Sequence, residues 1–140
     1  MSGLSDYVTD IVHEPSQDTD SGFDLTVAEV FEVVEPGHVD FGGGELEAAG
    51  TVPHDADKRD PDDDYEWWSL SAGQYLVEFN ESLTGEATVT LQPRTALLER
   101  GATHPTLHVA ELPRVPLSVG GAGIELKENA RVSTVVAADT

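Results

Sequence analysis

Apolar residues along the chain fall in short runs broken by glycine, proline and aspartate, and several runs alternate apolar with polar. A period of two puts one side of an extended strand into a core and the other toward solvent, so the pattern predicts an all-β chain. The longest run covers residues 23–34. Phe23, Leu25 and Val27 alternate, then the period slips, with Val30 beside Phe31 and Val33 beside Val34. Its β-branched content predicts a strand rather than a helix, and the slip predicts a bulge within it. Pro36-Gly37 and Gly42-Gly43-Gly44 interrupt the chain before a weaker strand over 45–52. Strands follow over 67–70 and 74–79, joined at Ala72-Gly73, and over 86–91, where Val89 and Leu91 share one face and Thr88 and Thr90 the other. The remaining strands are predicted over 106–110, 117–119, 124–126 and 131–137, with a turn at Gly120-Gly121-Ala122-Gly123. Residues 93–101 are the one helical patch, two turns long, with Gly101 placed to end it. Neighbouring Trp67 and Trp68 point to opposite faces of their strand, one into the core and one toward an interface.

About eight to ten short strands in one unit read as a barrel or jelly roll. The 140 residues form a single domain, with an N-terminal arm over 1–20 and an exposed, mobile acidic loop over 54–64. There is no cysteine, which excludes a disulfide framework and a thiolate metal site and fits a reducing cytoplasm. The N-terminus has no basic start and no apolar run, and no stretch is long enough to span a membrane, so the chain reads as soluble and cytoplasmic.

Charge changes the picture most. Asp and Glu number 27 against 7 Lys and Arg, a net charge of −20, and only Lys58 and Lys127 are lysines. Such a chain repels itself in dilute buffer. At 1 M salt the Debye length is roughly 3 Å and the repulsion nearly vanishes, which points to the cytoplasm of a halophile. The acidity is interleaved with apolar residues rather than blocked at one end, as a folded domain requires. Seven scattered cations form no basic patch, so nucleic acid is not an expected partner.

Among candidate chemical groups, the five histidines (His13, His38, His54, His104, His108) form no metal motif; Pro105 separates His104 from His108 on any helical face. The aspartates of the 54–64 loop lack the glycine and terminal glutamate of an EF-hand, and read as a solvated loop. No protein-held metal is expected. Arg94 and Thr95, at a strand-to-helix junction, offer one phosphate a guanidinium fork, a hydroxyl and free backbone N–H groups. Thr95 equally suits a helix N-cap, Asp24 a turn after Gly22, and any arginine in so acidic a chain a surface ion pair.

Three segments resemble motifs of the dUTPase/dCTP deaminase family. Ser21-Gly22-Phe23-Asp24-Leu25 is similar to the first dUTPase motif, Ala-Gly-Tyr-Asp-Leu. The run Gly22 to Val27, followed by Val30-Phe31-Glu32, is closer still to the archaeal dCTP deaminase/dUTPase branch. Pro93-Arg94-Thr95-Ala96-Leu97-Leu98 resembles the second motif, Pro-Arg-Ser-Ser-Leu, keeping the first hydroxyl at Thr95 and losing the second at Ala96. Residues 124–136 resemble the fourth motif, with Arg131 on the family's arginine, Asn129 in place of its glycine and Thr134 in place of its glutamine. Asn is the next-best residue for a left-handed turn. The matching segments cover well over half the chain.

The third motif departs. In dUTPases it carries the aspartate that activates water, and here its position falls at or near Ala110, with Glu111 the nearest carboxylate. A shift of one residue on a strand turns a side chain to the other face. Where the deaminase branch has a glutamate in a Leu-Glu-Leu strand, Leu117-Ser118-Val119 has Ser118, and after the fourth motif the sequence runs only to Thr140, without the glycine-rich tail of typical dUTPases.

The resemblance implies a dUTPase-like β-barrel or jelly roll with one short helix, assembled as a homotrimer with sites between subunits. It implies binding of dUTP or dCTP, with Arg94, Thr95 and Arg131 on the phosphates, Asp24 near a phosphate-bound Mg²⁺ and Glu111 as candidate base. The reaction is then hydrolysis of dUTP to dUMP and pyrophosphate, or deamination of dCTP. A catalytically inactive relative, acting as nucleotide sensor or assembly partner, is the alternative, and an acidic β-sandwich with an unrelated ligand a third.

Overall fold

The computed structural model of the chain describes residues 3–139. The first two residues of the expected N-terminal arm, and Thr140, lie outside them. The elements in order are a 3₁₀ turn (Leu4–Tyr7), β1 (Val8–Thr9), α1 (Glu14–Gln17), β2 (Asp18–Thr19), β3 (Gly22–Glu35), β4 (Gly50–Pro53), β5 (Trp67–Leu70), β6 (Gly73–Phe79), β7 (Ser82–Leu83), β8 (Thr88–Pro93), α2 (Thr95–Leu98), β9 (Ala102–Thr103), β10 (Leu107–Val109), β11 (Val115–Val119), β12 (Ile124–Lys127) and β13 (Arg131–Asp139). One antiparallel sheet of nine strands runs β10-β8-β13-β3-β6-β11-β9, with β2 and β4 also paired to β3. Two ribbons, β1–β7 and β5–β12, complete the layer structure.

Strand β3 is the axis of the molecule because it is buried on both faces over its first half. Phe23, Leu25 and Val27 are fully buried and pack with Val89, Leu91, Leu117 and Val135 in the core. The opposite face carries Asp24 and Thr26, also buried. Buried polar groups are costly unless hydrogen-bonded, and here a network serves them. The Glu81 carboxylate accepts from the Thr26 amide at 2.9 Å, the Thr26 hydroxyl at 2.6 Å and Gln17 Nε2 at 2.8 Å, and Gln17 Nε2 also donates to the Asp24 carbonyl at 2.9 Å. The N-terminal arm is thereby pinned across β3.

The slip in the hydrophobic period of β3 is a bulge: its register with β6 shifts between Val27 and Glu29, after which Val30 is buried. The face assignment of β8 also holds, with Val89 and Leu91 fully buried. Trp68 enters the core, while Trp67 lies half-buried under the Arg59 guanidinium, 3.5 Å from the ring centroid.

Other elements differ. The strand expected over 45–52 pairs only from Gly50, preceded by a single His38–Glu47 bridge, because the glycine run and the turn at 40–46 delay the return of the chain. The helix over 93–101 is one turn, Thr95–Leu98, ending in a turn that Gly101 closes at φ +87°. The two-residue strands β1, β2, β7 and β9 are too short for any periodicity to signal. The 54–64 loop is exposed along most of its length but tied down, Asp57 bridging to Trp67 and Arg59 pairing with Glu125.

Candidate functional site

Asp24 is the centre of the site. It lies on the polar face of β3, across β13 from the outgoing end of β8. Thr134 sits directly opposite on β13 and its hydroxyl donates to Asp24 Oδ1 at 2.8 Å. Regular alternation would put Arg131, three residues back, on the core side with Ser133. A bulge in β13 between Arg131 and Ser133 turns it over. Its Nη1 then donates to Asp24 Oδ2 at 3.1 Å and to the Ser16 carbonyl at 2.7 Å. Arg94 leaves β8 after Pro93, its amide held by the Val132 carbonyl at 2.9 Å, and its Nε reaches the same Oδ2 at 3.3 Å. The Asp24 side chain is only 4% exposed, whereas Arg94 and Arg131 keep 32% and 33% of theirs in solvent. The carboxylate therefore fixes two guanidiniums whose outer edges stay accessible.

Asp24, Arg94 and Thr134 border an open cavity of about 330 Å³ that also includes Ser21, Thr95 and Ala96, while Arg131 borders a different cavity with Ser16 and Gln17. Thr95, the first residue of α2, is exposed and borders this cavity; the N-cap position belongs to Arg94, which makes no side-chain capping bond. Two guanidiniums against one carboxylate leave a local excess of positive charge in a chain of net charge −20. Arginine forks match phosphate oxygens in both geometry and charge.

The other sequence candidates sit elsewhere. Glu111, in the exposed loop between β10 and β11, borders a separate cavity of about 360 Å³ with Glu78, Glu81 and Arg114. Neighbouring Ala110 is half-buried. The Ser118 hydroxyl donates to Gln74 at 2.9 Å on the outer face of β11. Asn129 takes the left-handed conformation, φ +64°, that its place in the motif predicts, and accepts from Asn80 at 2.8 Å. Exposed His108 lies 3.3 Å from Asp139. Among the described residues, no three or more His, Asp or Glu come together as a metal cluster.

His104 is buried behind the site. Its Nδ1 donates to the Pro105 carbonyl at 2.8 Å, so Nε2 accepts from the Ser133 hydroxyl at 2.7 Å. Burial lowers its pKa below 6.5, with the Pro105 bond opposing. The unfolded chain thus binds a proton that the folded chain refuses, and this contribution to stability, present at higher pH, is lost as pH falls through and below 6.5. Between about pH 7.5 and 5.5 the wild type is expected to lose more melting temperature than His104→Gln, which separates His104 from the many carboxylates. Equal losses in both proteins would contradict this.

Thr134, Gln17, Ser16 and Glu81 were not foreseen as site residues. Thr134 stands where the resemblance loses a glutamine, and the structure gives it the support of Asp24 instead. Glu81 follows β6 in no motif; a carboxylate after a strand carries no signal of burial in the sequence.

The curled antiparallel sheet is a dUTPase-like all-β fold. No family model and no curated protein matches the sequence. Among solved structures the chain is similar to the crystal structure of 2′-deoxycytidine 5′-triphosphate deaminase from Agrobacterium tumefaciens, with a TM-score of 0.58 and 14% sequence identity over 94% of this chain and 43% of that one. The chain spans less than half the length of that deaminase. At this identity the likeness carries the fold, and the chemistry rests on the residues. Among the described residues no helix is long and apolar enough to cross a membrane.

Proposed function

We propose that the protein binds a deoxynucleoside triphosphate, dUTP or dCTP, with the phosphates on Arg94, Thr95 and Arg131, as a dUTPase/dCTP deaminase-like protein of a salt-rich cytoplasm. The observation that carries the reading is the meeting of Arg94 and Arg131 on the one buried Asp24 carboxylate, from three segments far apart in the sequence, with Arg94 and Thr95 bordering one cavity. Both Asp24 oxygens are engaged within the chain, so its part is to hold the guanidiniums. Among the described residues no cluster of carboxylates or histidines forms a Mg²⁺ cage, and Mg²⁺ belongs in this reading only as the partner of the nucleotide phosphates, whose charge it would neutralise.

Glu111 lies outside the Arg94 cavity of its own chain. Catalysis through Glu111 therefore needs a neighbouring copy, as a homotrimer with sites between subunits would supply. A general base contributes roughly 10²- to 10⁴-fold, so Glu111→Gln is expected to lower kcat by that order with dUTP binding intact. Unchanged turnover would remove Glu111. The same placement favours a second reading, a catalytically inactive relative that senses nucleotide or assembles with an active enzyme.

Incubation at molar KCl with Mg²⁺ and either dUTP or dCTP, followed by chromatography, separates the two. dUMP with pyrophosphate, or dUTP from dCTP, establishes an enzyme and names the reaction. Absence of product from folded protein that still binds nucleotide establishes the inactive relative.

A further inference from the structure

Of the nine large apolar side chains exposed among the described residues, six lie between residues 33 and 52: Val33, Val34, Val39, Phe41, Leu46 and Val52. They decorate a finger made by the end of β3, its return through β4 and the excursion between them. The finger is built rather than loose. His38 and Glu47 exchange backbone hydrogen bonds of 2.9 Å across its limbs, and the Asp40 carboxylate accepts from the Gly43 and Glu45 amides at 2.9 and 2.8 Å. This turn holds Phe41 fully in solvent, with Val39 90% and Leu46 65% exposed. Contiguous exposed apolar surface on a soluble chain marks an interaction site, and these side chains are too exposed to be covered by their own copy.

The charge around the finger selects what covers it. Glu35, Asp40, Glu45 and Glu47 flank the tip, and residues 33–52 include no Lys or Arg. The complement is an apolar recess with a cationic rim. Of the cavities with apolar walls and two cations, the one with most room for an aromatic ring is about 720 Å³, bordered by Leu70, Ala122 and Ile124, by Arg59 and Arg100 and by Glu125. Arg59 is already paired with Glu125. Arg100 is 66% exposed; its Nη1 donates to the Ala96 carbonyl at 2.9 Å and lies 3.9 Å from Glu99.

We propose that the finger of one copy docks Phe41 into the Arg59–Arg100 cavity of the next. The contact joins two different surfaces, so it repeats head to tail and closes into a ring when the rotation allows. Arg100 lies just beyond the helical turn that begins at Thr95, so the docked finger braces the element carrying the phosphate site. The inference rests on the reading that copies assemble, and it names the surface by which they do so.

The native chain has no cysteine, which makes cross-linking unambiguous. With Phe41→Cys and Ala122→Cys in one chain, a short bismaleimide at molar KCl is expected to give covalent multimers, and neither single variant is. Sedimentation should show an oligomer for the wild type and, for Phe41→Asp, association weakened by roughly 30-fold or more, the scale of a buried aromatic anchor. Phe41 is fully exposed, so this variant folds. An oligomer indifferent to Phe41→Asp and without the cross-link would overturn the finger contact while leaving assembly standing. A monomeric wild type would overturn both. Neither result depends on nucleotide binding.

Discussion

Replacing Arg94 with alanine is expected to weaken dUTP and dCTP binding by at least about tenfold, with little change in melting temperature. A hydrogen bond to a charged group contributes about 1.5–3 kcal/mol, and the Arg94 guanidinium offers more than one donor to a phosphate. Its loss as an ion-pair partner of Asp24 is minor for the fold, because the side chain is about one-third solvent-exposed and Arg131 and Thr134 remain on the carboxylate. Arg94→Lys should restore only part of the affinity, since an ammonium cannot contact Asp24 and a phosphate with a planar fork. Calorimetric titration at molar KCl measures both. Equal affinity in wild type and Arg94→Ala would place the nucleotide, if bound, elsewhere on the protein.

Gly22→Ala is expected to have the largest effect on stability. Gly22 has φ +144°, which L side chains rarely adopt, and a Cβ there would stand 2.2 Å from the Val135 carbonyl oxygen and 2.9 Å from Thr134 Cγ2. The first obstacle is backbone, so β3 and β13 must separate at the pair that aligns Thr134 with Asp24. Overpacking costs about 1–3 kcal/mol and the backbone strain about 1 more. The sum corresponds to a melting temperature lower by roughly 10 °C. Denaturation at molar KCl should show it, and nucleotide affinity should fall as well because the site is built across this strand pair. A variant as stable as the wild type would mean that β13 yields without cost, against the packing described here.

Why the sequence revealed some of this and not the rest follows from particular residues. The alternation at Phe23, Leu25 and Val27 and at Val89 and Leu91 is legible because one face of each strand meets the core. The bulge in β3 is legible because it breaks that alternation. The bulge at Val132 is not, since Arg131, Ser133 and Thr134 are all polar and show no period to break. Yet it decides that Arg131 faces Asp24. The motifs located Asp24, Arg94, Thr95 and Arg131 without saying that the aspartate lies beneath the two arginines. The Gln17–Glu81–Thr26 network has no local signature, because its members are brought together only by the packing of β3 against the arm and the end of β6. Residues 33–52 read as the end of the strand over 23–34, breaks at Pro36-Gly37 and Gly42-Gly43-Gly44, and a weaker strand over 45–52. The apolar residues among them are indistinguishable by composition from core until the fold leaves them outside.

The most direct test of the central claim is a crystal structure of the protein with a non-hydrolysable dUTP analogue and Mg²⁺, grown from molar salt. Phosphate oxygens are expected within hydrogen-bonding distance of the Arg94 and Arg131 guanidiniums and the Thr95 hydroxyl, with Asp24 still bonded to Thr134. A nucleotide bound away from these residues, or a soaked crystal with that cavity open and the analogue absent, would contradict it.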